Sequence, residues 1–210
     1  MRHRNDTNES AIIAEAVDCI VAGGTLIFPT ETVYGIGAAA ENDAAIAAVY
    51  TAKGRRFDKP LALHVSELAQ AQPFVRAWTR AALRAVQHFW PGPLAVIVPR
   101  RAARFEKAAA GYATISLRCP DHGLTRNLLR QTGPLAATSA NRANSPAFTG
   151  APDALPHLPE ATLALIAGLT AYQRESTIMD CSTEHPRILR WGAIGLDRIT
   201  AVMGTLEPSA

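Results

Sequence analysis

A chain of 210 residues, 48% hydrophobic and 19% charged, is long enough to bury one sizeable core and is neither disordered nor fibrous in composition. Its formal net charge of +3 permits an anionic partner without demanding one. Cys19, Cys119 and Cys181 make no CxxC pair and the six histidines show no zinc-ligand spacing, which argues against a disulfide framework or structural zinc and fits a reducing cytosol.

Met1 to Asp6 is too polar for a signal peptide, and no apolar run approaches the length of a bilayer, so a soluble cytoplasmic protein with no membrane partner is expected. Ser10 reads as the N-cap of a helix with Ile12, Ile13, Ala16, Val17, Ile20 and Val21 on one face, stopped by Gly23-Gly24. Thr25 to Phe28 is a short buried-type strand closed by Pro29. A second helix starts at Asn42-Asp43 and ends near Gly54, placing Lys53 in its last turn, where a cation complements the helix dipole. Residues 60–65 read as a strand. Ser66-Glu67 then signals a helix running through Trp78 to Trp90, where Pro91-Gly92-Pro93 breaks it.

Leu94 to Val98 and the alternating Thr114 to Arg118 follow as strands, and Asp121 caps a helix holding Leu124, Leu128 and Leu129. Pro134 to Ser139 is a further strand, and 141–152 is a loop rich in Asn, Ser, Pro, Gly and Thr. Short strands are expected near 162–166, 176–180 and 187–190, then a final helix built on Ile194, Leu196, Ile199 and Val202, with residues 207–210 frayed. Strands alternating with helices, with no linker and no repeat, predict one α/β domain with a parallel or mixed sheet.

The common nucleotide signatures are missing. There is no GxxxxGK[ST], no GxSxG elbow and no carboxylate cluster for a metal. Gly35-Ile-Gly37 matches a relaxed dinucleotide pattern, but its glycines do not join a strand directly to a helix. Hydroxyls, amides and guanidinium groups instead gather at predicted strand ends: residues 29–35, 114–118, Ser139 with Asn141 and Thr149, Ser176-Thr177, and 187–190. In open α/β sheets such ends converge on a ligand crevice. Lys53, Arg55, Arg56 and Lys59, offset only by Asp58, crowd the mouth of the 60–65 strand, either as a solvated loop or as a cradle for an anion. Taken singly, each stretch also has an ordinary reading as turn, strand surface or exposed cation.

Seven blocks give the combination a meaning: PTETVYGIG (29–37), KGRRFDKPLALHV (53–65), FWPGPLAVIV (89–98), ISLRCPDH (115–122), TSAN (138–141), STIMDCS (176–182) and ILRWGAI (188–194). In this order they make the chain, from about residue 10 to 200, similar to the threonylcarbamoyl-AMP synthases of the YrdC-domain family. The K-x-R of Lys53 and Arg55 and the S-x-N of Ser139 and Asn141 are its signature pairs. The resemblance implies a single YrdC-like domain over 1–210 (core 10–203), an open twisted mixed sheet flanked by helices, and a concave basic crevice. It implies formation of threonylcarbamoyl-AMP and diphosphate from L-threonine, bicarbonate and ATP, with Mg²⁺ carried on ATP and no protein-held metal. Lys53, Arg55, Ser139 and Asn141 would be catalytic. Thr32, His64, Arg118, Ser139 and Ser176 would hold threonine, and Arg55, Lys59, Thr114, Asn141, Thr149 and Arg190 would hold ATP. Partners would be tRNA or double-stranded RNA and the transferase proteins that move threonylcarbamoyl onto tRNA.

Two residues depart from the family pattern: Arg56 after the K-x-R and Trp191 after Arg190 stand where proline is usual. The extra C-terminal domain of longer members is not expected. A module of this fold that binds RNA on a basic concave surface, without adenylate-forming activity, is the alternative, and Arg100, Arg101, Arg104 and Lys107 add a basic run to it.

Overall fold

The computed structural model describes residues 2–4, 9–101, 104–150, 157–158 and 160–204. The terminal residues expected to fray, and 151–152 of the predicted loop, lie outside them. Ten strands form one sheet: β1 (Arg2–Arg4), β2 (Leu26–Phe28), β3 (Gly35–Ala39), β4 (Ala62–His64), β5 (Leu94–Pro99), β6 (Thr114–Arg118), β7 (Leu135–Ser139), β8 (Leu163–Leu165), β9 (Thr177–Asp180) and β10 (Arg187–Arg190). Their order is β1-β8-β2-β3-β7-β4-β6-β5-β9-β10. The sheet is mixed, with β1–β8, β8–β2, β4–β6 and β5–β9 parallel and the other neighbours antiparallel.

The helices are α1 (Glu9–Val21), α2 (Asp43–Lys53), α3 (Leu68–Ala71), α4 (Arg80–Phe89), α5 (Gly123–Thr132) and α6 (Leu196–Met203). They cover the two faces unequally. On one face, Ile46 and Val49 of α2, Ala85 and Phe89 of α4 and Ile199 of α6 pack in a core with Ile36, Leu63, Val96 and Leu117. On the other face, Ile12, Ala16 and Ile20 of α1 and Leu128 and Leu129 of α5 cover Leu26, Phe28, Leu135 and Leu163. Alternation along β4, β5 and β6 sends Leu63, Val96 and Leu117 into the first core and leaves Ala62, His64, Ala95, Ser116 and Arg118 on the second face. Those residues lie beyond the reach of the α1–α5 layer, and the uncovered half of the face becomes the cleft described below.

Several expectations are corrected. The helix expected from Ser66-Glu67 to Trp90 is two helices: α3 passes into a 3₁₀ turn at Gln72–Phe74, Val75 bridges to Arg100, and Thr79 caps a new helix by accepting from Ala82 N at 3.0 Å. Pro73 and the pairing of Val75 and Arg76 with the end of β5 override helical propensity there. Gly35-Ile-Gly37 opens β3, a strand that was not expected from the sequence. A Cβ on Gly37 would lie 2.7 Å from that of Ala137, so this glycine serves close strand packing. Ser10 lies inside α1, Val21 is 79% exposed, and α5 begins after His122 with no side-chain cap from Asp121. Arg2–Arg4 adds an edge strand that its polar sequence did not announce.

Candidate active site

The bare half of the sheet is the floor of a cleft of about 600 Å³. Gly35, Ala62, Ala95 and Ala137 pave it, and Ala62 faces Ala137 across the β4–β7 pairing. Among the described residues six cations line it, Lys53, Arg55, Arg56, Lys59, Arg118 and Arg190, against a single carboxylate, Glu175. Such a surface is built for negative charge.

At one end, β4 and β6 run parallel, and their register sets His64 beside Arg118 although 54 residues separate them. Arg118 is 5% exposed. Its Nη2 donates to Thr32 Oγ1 at 2.6 Å and lies 2.9 Å from Glu31 Oε1, while its Nε has no protein partner among the described residues. A buried guanidinium N–H without an acceptor, in a side chain that lines a cleft, is costly unless a ligand completes it. Thr32 is fully buried, its hydroxyl 2.9 Å from that of Thr30, so it works behind the wall and holds Arg118.

His64 sits edge-on to Phe28, with Nδ1 3.3 Å from Ala62 O. Burial first, and then the Arg118 charge, push its pKa down to about 3, so it is neutral at pH 7. The unfolded chain binds a proton here below its ordinary value near 6.5 while the native protein does not, so this residue's contribution is complete above that pH and is lost as pH falls towards 3. His64→Gln should therefore flatten the acid limb of the stability curve, by about 2 kcal/mol at pH 5 relative to pH 7. Thermal unfolding of both proteins across that range checks it; parallel curves would refute it.

At the other end, Asn42 starts α2 by accepting from Ala45 N at 3.0 Å, and Gly54 stops it in the left-handed conformation at φ 61°. That stop separates the two cations of the K-x-R. Lys53 turns inward and is 3% exposed. Its Nζ donates to Ser139 O, to Asn141 O at 2.5 Å and to Asn141 Oδ1 at 3.1 Å. Asn141 Nδ2 in turn donates to Ser145 O at 2.6 Å and Arg142 O at 3.1 Å. Lys53 and the S-x-N pair thus form one clasp, tying the end of α2 to the end of β7 and the loop after it. Lys53, expected beside the phosphates, is directed at carbonyl oxygens. Burial, with a further push from Arg55 and opposition from Glu175, lowers its pKa to about 8.

Arg55 faces the cleft. Its Nε and Nη2 donate to Lys59 O at 3.1 Å and Pro60 O at 2.9 Å, which fixes the fork against the segment entering β4. Burial first, and also the charge of Arg190, lower its pKa. Arg190 donates to Glu175 Oε2 at 2.8 Å, and its Nη2 reaches Ser176 O at 2.9 Å and Ser176 Oγ at 3.2 Å. A register irregularity between Ile188 and Arg190 lets successive residues, Leu189 and Arg190, both line the cleft.

Of the sequence-predicted residues, the cleft brings together Lys53, Arg55, Lys59, His64, Arg118, Ser139, Asn141, Ser176 and Arg190. Thr32 stands behind it. Thr114, two residues before the lining Ser116 on the same face of β6, and Thr149, whose carbonyl accepts from Thr170 N at 2.9 Å, are not among its lining residues. Glu31, Glu175, Ser116 and Ser145 were missed; Ser116 was open to detection, lying between Thr114 and Arg118 at a spacing of two. Of the unusual residues, Arg56 pairs with Asp58 at 2.5 Å in solvent, and Trp191 is 44% exposed.

A cation-rich end and a buried arginine end, set on the bare face of one mixed sheet, define an α/β protein with a polar cleft. The Sua5/YciO/YrdC family model, which carries the description telomere recombination, matches residues 18–192. The chain belongs to that family. It is 36% identical over 198 residues to the threonylcarbamoyl-AMP synthase of Bacillus subtilis, covering 93% of this chain and 57% of that one. A putative threonylcarbamoyl-AMP synthase of Mycobacterium tuberculosis is 36% identical over 193 residues, covering 91% of this chain and 89% of the relative. The crystal structure of P. abyssi Sua5 complexed with L-threonine superposes with a TM-score of 0.92 at 30% identity, over 99% of this chain and 61% of the other. The chain therefore spans less than two thirds of the Bacillus and P. abyssi proteins.

Proposed function

We propose that this protein is an L-threonylcarbamoyladenylate synthase acting in the cytoplasm. The observation that carries the reading is the pairing within one cleft of a buried arginine whose Nε lacks an acceptor with a cluster of cations at the far end. Relatives that bear this activity by name, and a neighbour that binds threonine, support it.

Arg118, with His64 beside it, takes the carboxylate of threonine; Ser176 lies at the Arg190 side. Threonine and bicarbonate join with loss of water and a proton to give a carbamate. A carbamate oxygen then attacks the α-phosphorus of ATP, the bond to the bridging oxygen of the β-phosphate breaks, and diphosphate leaves. Attack of an anion on an anion is slow unless cations neutralise the phosphates, and Arg55, Arg190 and Lys59 do so from fixed or rim positions. Holding both substrates on one floor makes their encounter near-unimolecular. Magnesium arrives on the triphosphate as part of the substrate: Glu175 is the one lining carboxylate, and no group of three or more His, Cys, Asp or Glu is placed to hold a metal among the described residues. The product passes to a transferase that modifies tRNA.

Two residues of the basic run offered to the RNA-binding alternative are engaged within the protein. Arg100 pairs with Glu106 at 2.8 Å, and Arg104 pairs with Glu41 and lies 5.3 Å from the ring centres of Phe74 and Phe105. No helix among the described residues is long and apolar enough to cross a membrane. Incubation with ATP, bicarbonate and threonine should yield threonylcarbamoyl-AMP by mass spectrometry and release diphosphate only when all three are present. Release that ignores threonine or bicarbonate would sink the reading.

A further inference from the structure

Glu31 lies behind the arginine end of the cleft and plays no part in the scheme above. It is 5% exposed, and its Oε1 is 2.9 Å from Arg118 Nη2, a close ion pair. That contact is out of line for a hydrogen bond, and neither carboxylate oxygen has a hydrogen-bond partner among the described residues. Glu31 also lines a second, smaller cavity of about 240 Å³, together with Thr30, Asp121 and His122. His122 Nδ1 is also buried and unpartnered. Among the described residues, four of the five orphaned buried polar atoms belong to Glu31 and His122, which line this cavity, and to Arg118, which Glu31 contacts. The Glu31 charge rests on Arg118.

We propose that Glu31 is a positioning residue that makes the Arg118 end of the cleft select a zwitterionic amino acid over a simple carboxylate. The inference rests on the functional reading above and concerns how the threonine end discriminates. With Glu31 in place, the buried pair has no net charge. A zwitterion entering it keeps the balance of that pair, whereas a carboxylate without an ammonium adds one negative charge beside a buried pair that is already balanced, which a low-dielectric setting resists. Remove the Glu31 charge and the preference reverses. Arg118 then carries an uncompensated positive charge that a simple anion neutralises and a zwitterion does not. Glu31 touches neither ligand; it acts through Arg118.

Calorimetric titration of the full chain with L-threonine and with (R)-3-hydroxybutyrate, the same molecule without its ammonium, tests this. The wild type should bind threonine at least tenfold more tightly. Glu31→Gln should narrow that ratio at least tenfold, whereas Glu31→Asp, which keeps the charge, should hold it near the wild-type value. A merely structural role would weaken both ligands together, so an unchanged ratio in Glu31→Gln overturns the proposal. Should Glu31→Gln fail to fold, a collapsed ratio in Glu31→Asp overturns it equally. A wild type that discriminates but whose variants do not differ defeats this inference alone; a wild type that binds no threonine defeats the functional reading beneath it.

Discussion

Arg118→Leu should abolish measurable threonine binding and lower the unfolding free energy by about 3–5 kcal/mol, the cost of leaving a buried charge without its partner. The leucine fills much of the space, so the loss comes from Glu31, whose carboxylate is 5% exposed and has Arg118 as its one ion-pair partner among the described residues. Arg118→Lys separates stability from recognition. It keeps a cation beside Glu31, and the fold should survive. A lysine offers no planar fork, so it cannot hold Thr32 and Glu31 on one side and present a second N–H to a carboxylate. Threonine affinity should then fall by about 1.5–3 kcal/mol, while ATP titrated alone binds as before. Calorimetry with each substrate and chemical unfolding of both variants make the measurement. If threonine affinity survives and ATP affinity collapses, the arginine has been given the wrong substrate.

Lys53→Met should cut adenylate formation at least tenfold and cost about 1–3 kcal/mol of stability. A phosphate-binding lysine would cost activity alone. Here the ammonium gathers Ser139 O, Asn141 O and Asn141 Oδ1, so its loss strands acceptors and frees the loop that carries Ser139. Removing a buried charge returns some desolvation energy, which keeps the penalty below that of Arg118→Leu. The pH dependence has a definite sign. Lys53 titrates near 8 in the native protein, below its ordinary value of 10.5, so between these values the unfolded chain holds a proton that the folded one has shed. Stability contributed by this residue rises with pH across that window and is constant below it. The deficit of the methionine variant should therefore be larger at pH 10 than at pH 7. Unfolding curves at both values decide it, and a variant of normal stability and activity would remove Lys53 from the clasp.

Much of this site was legible because its chemistry is local. Asn42 and Gly54 bracket α2 with side-chain and backbone signals that act within a few residues, and both caps lie where the sequence places them. Alternation from Thr114 to Arg118 likewise set Arg118 on the open face. What stayed hidden depends on distant partners. Lys53 at a helix end reads equally well as a dipole cation or a phosphate ligand, and only the loop after β7, 86 to 88 residues away, decides between them. Glu31 sits in a turn of threonines and looks solvated until β6 brings Arg118 alongside. The α3–α4 break escaped notice because Val75 and Arg76 pair with Arg100 and with Pro99 at the end of β5, a tertiary contact that no helical periodicity records.

The pavement of Gly35, Ala62, Ala95 and Ala137 means that a ligand on this floor would rest against peptide planes, not against mobile side chains. Hydrogen bonding on both sides holds such a surface rigid, and no substitution can erase it. A substitution can only fill it. Valine suits a strand as well as alanine does or better, so one at position 62 would act as a built-in plug, occupying the volume a ligand needs while the sheet beneath keeps its pairing. The floor is thus vulnerable in one direction only, to growth, and a folded but sterically blocked decoy lies two methyl groups away from the native protein.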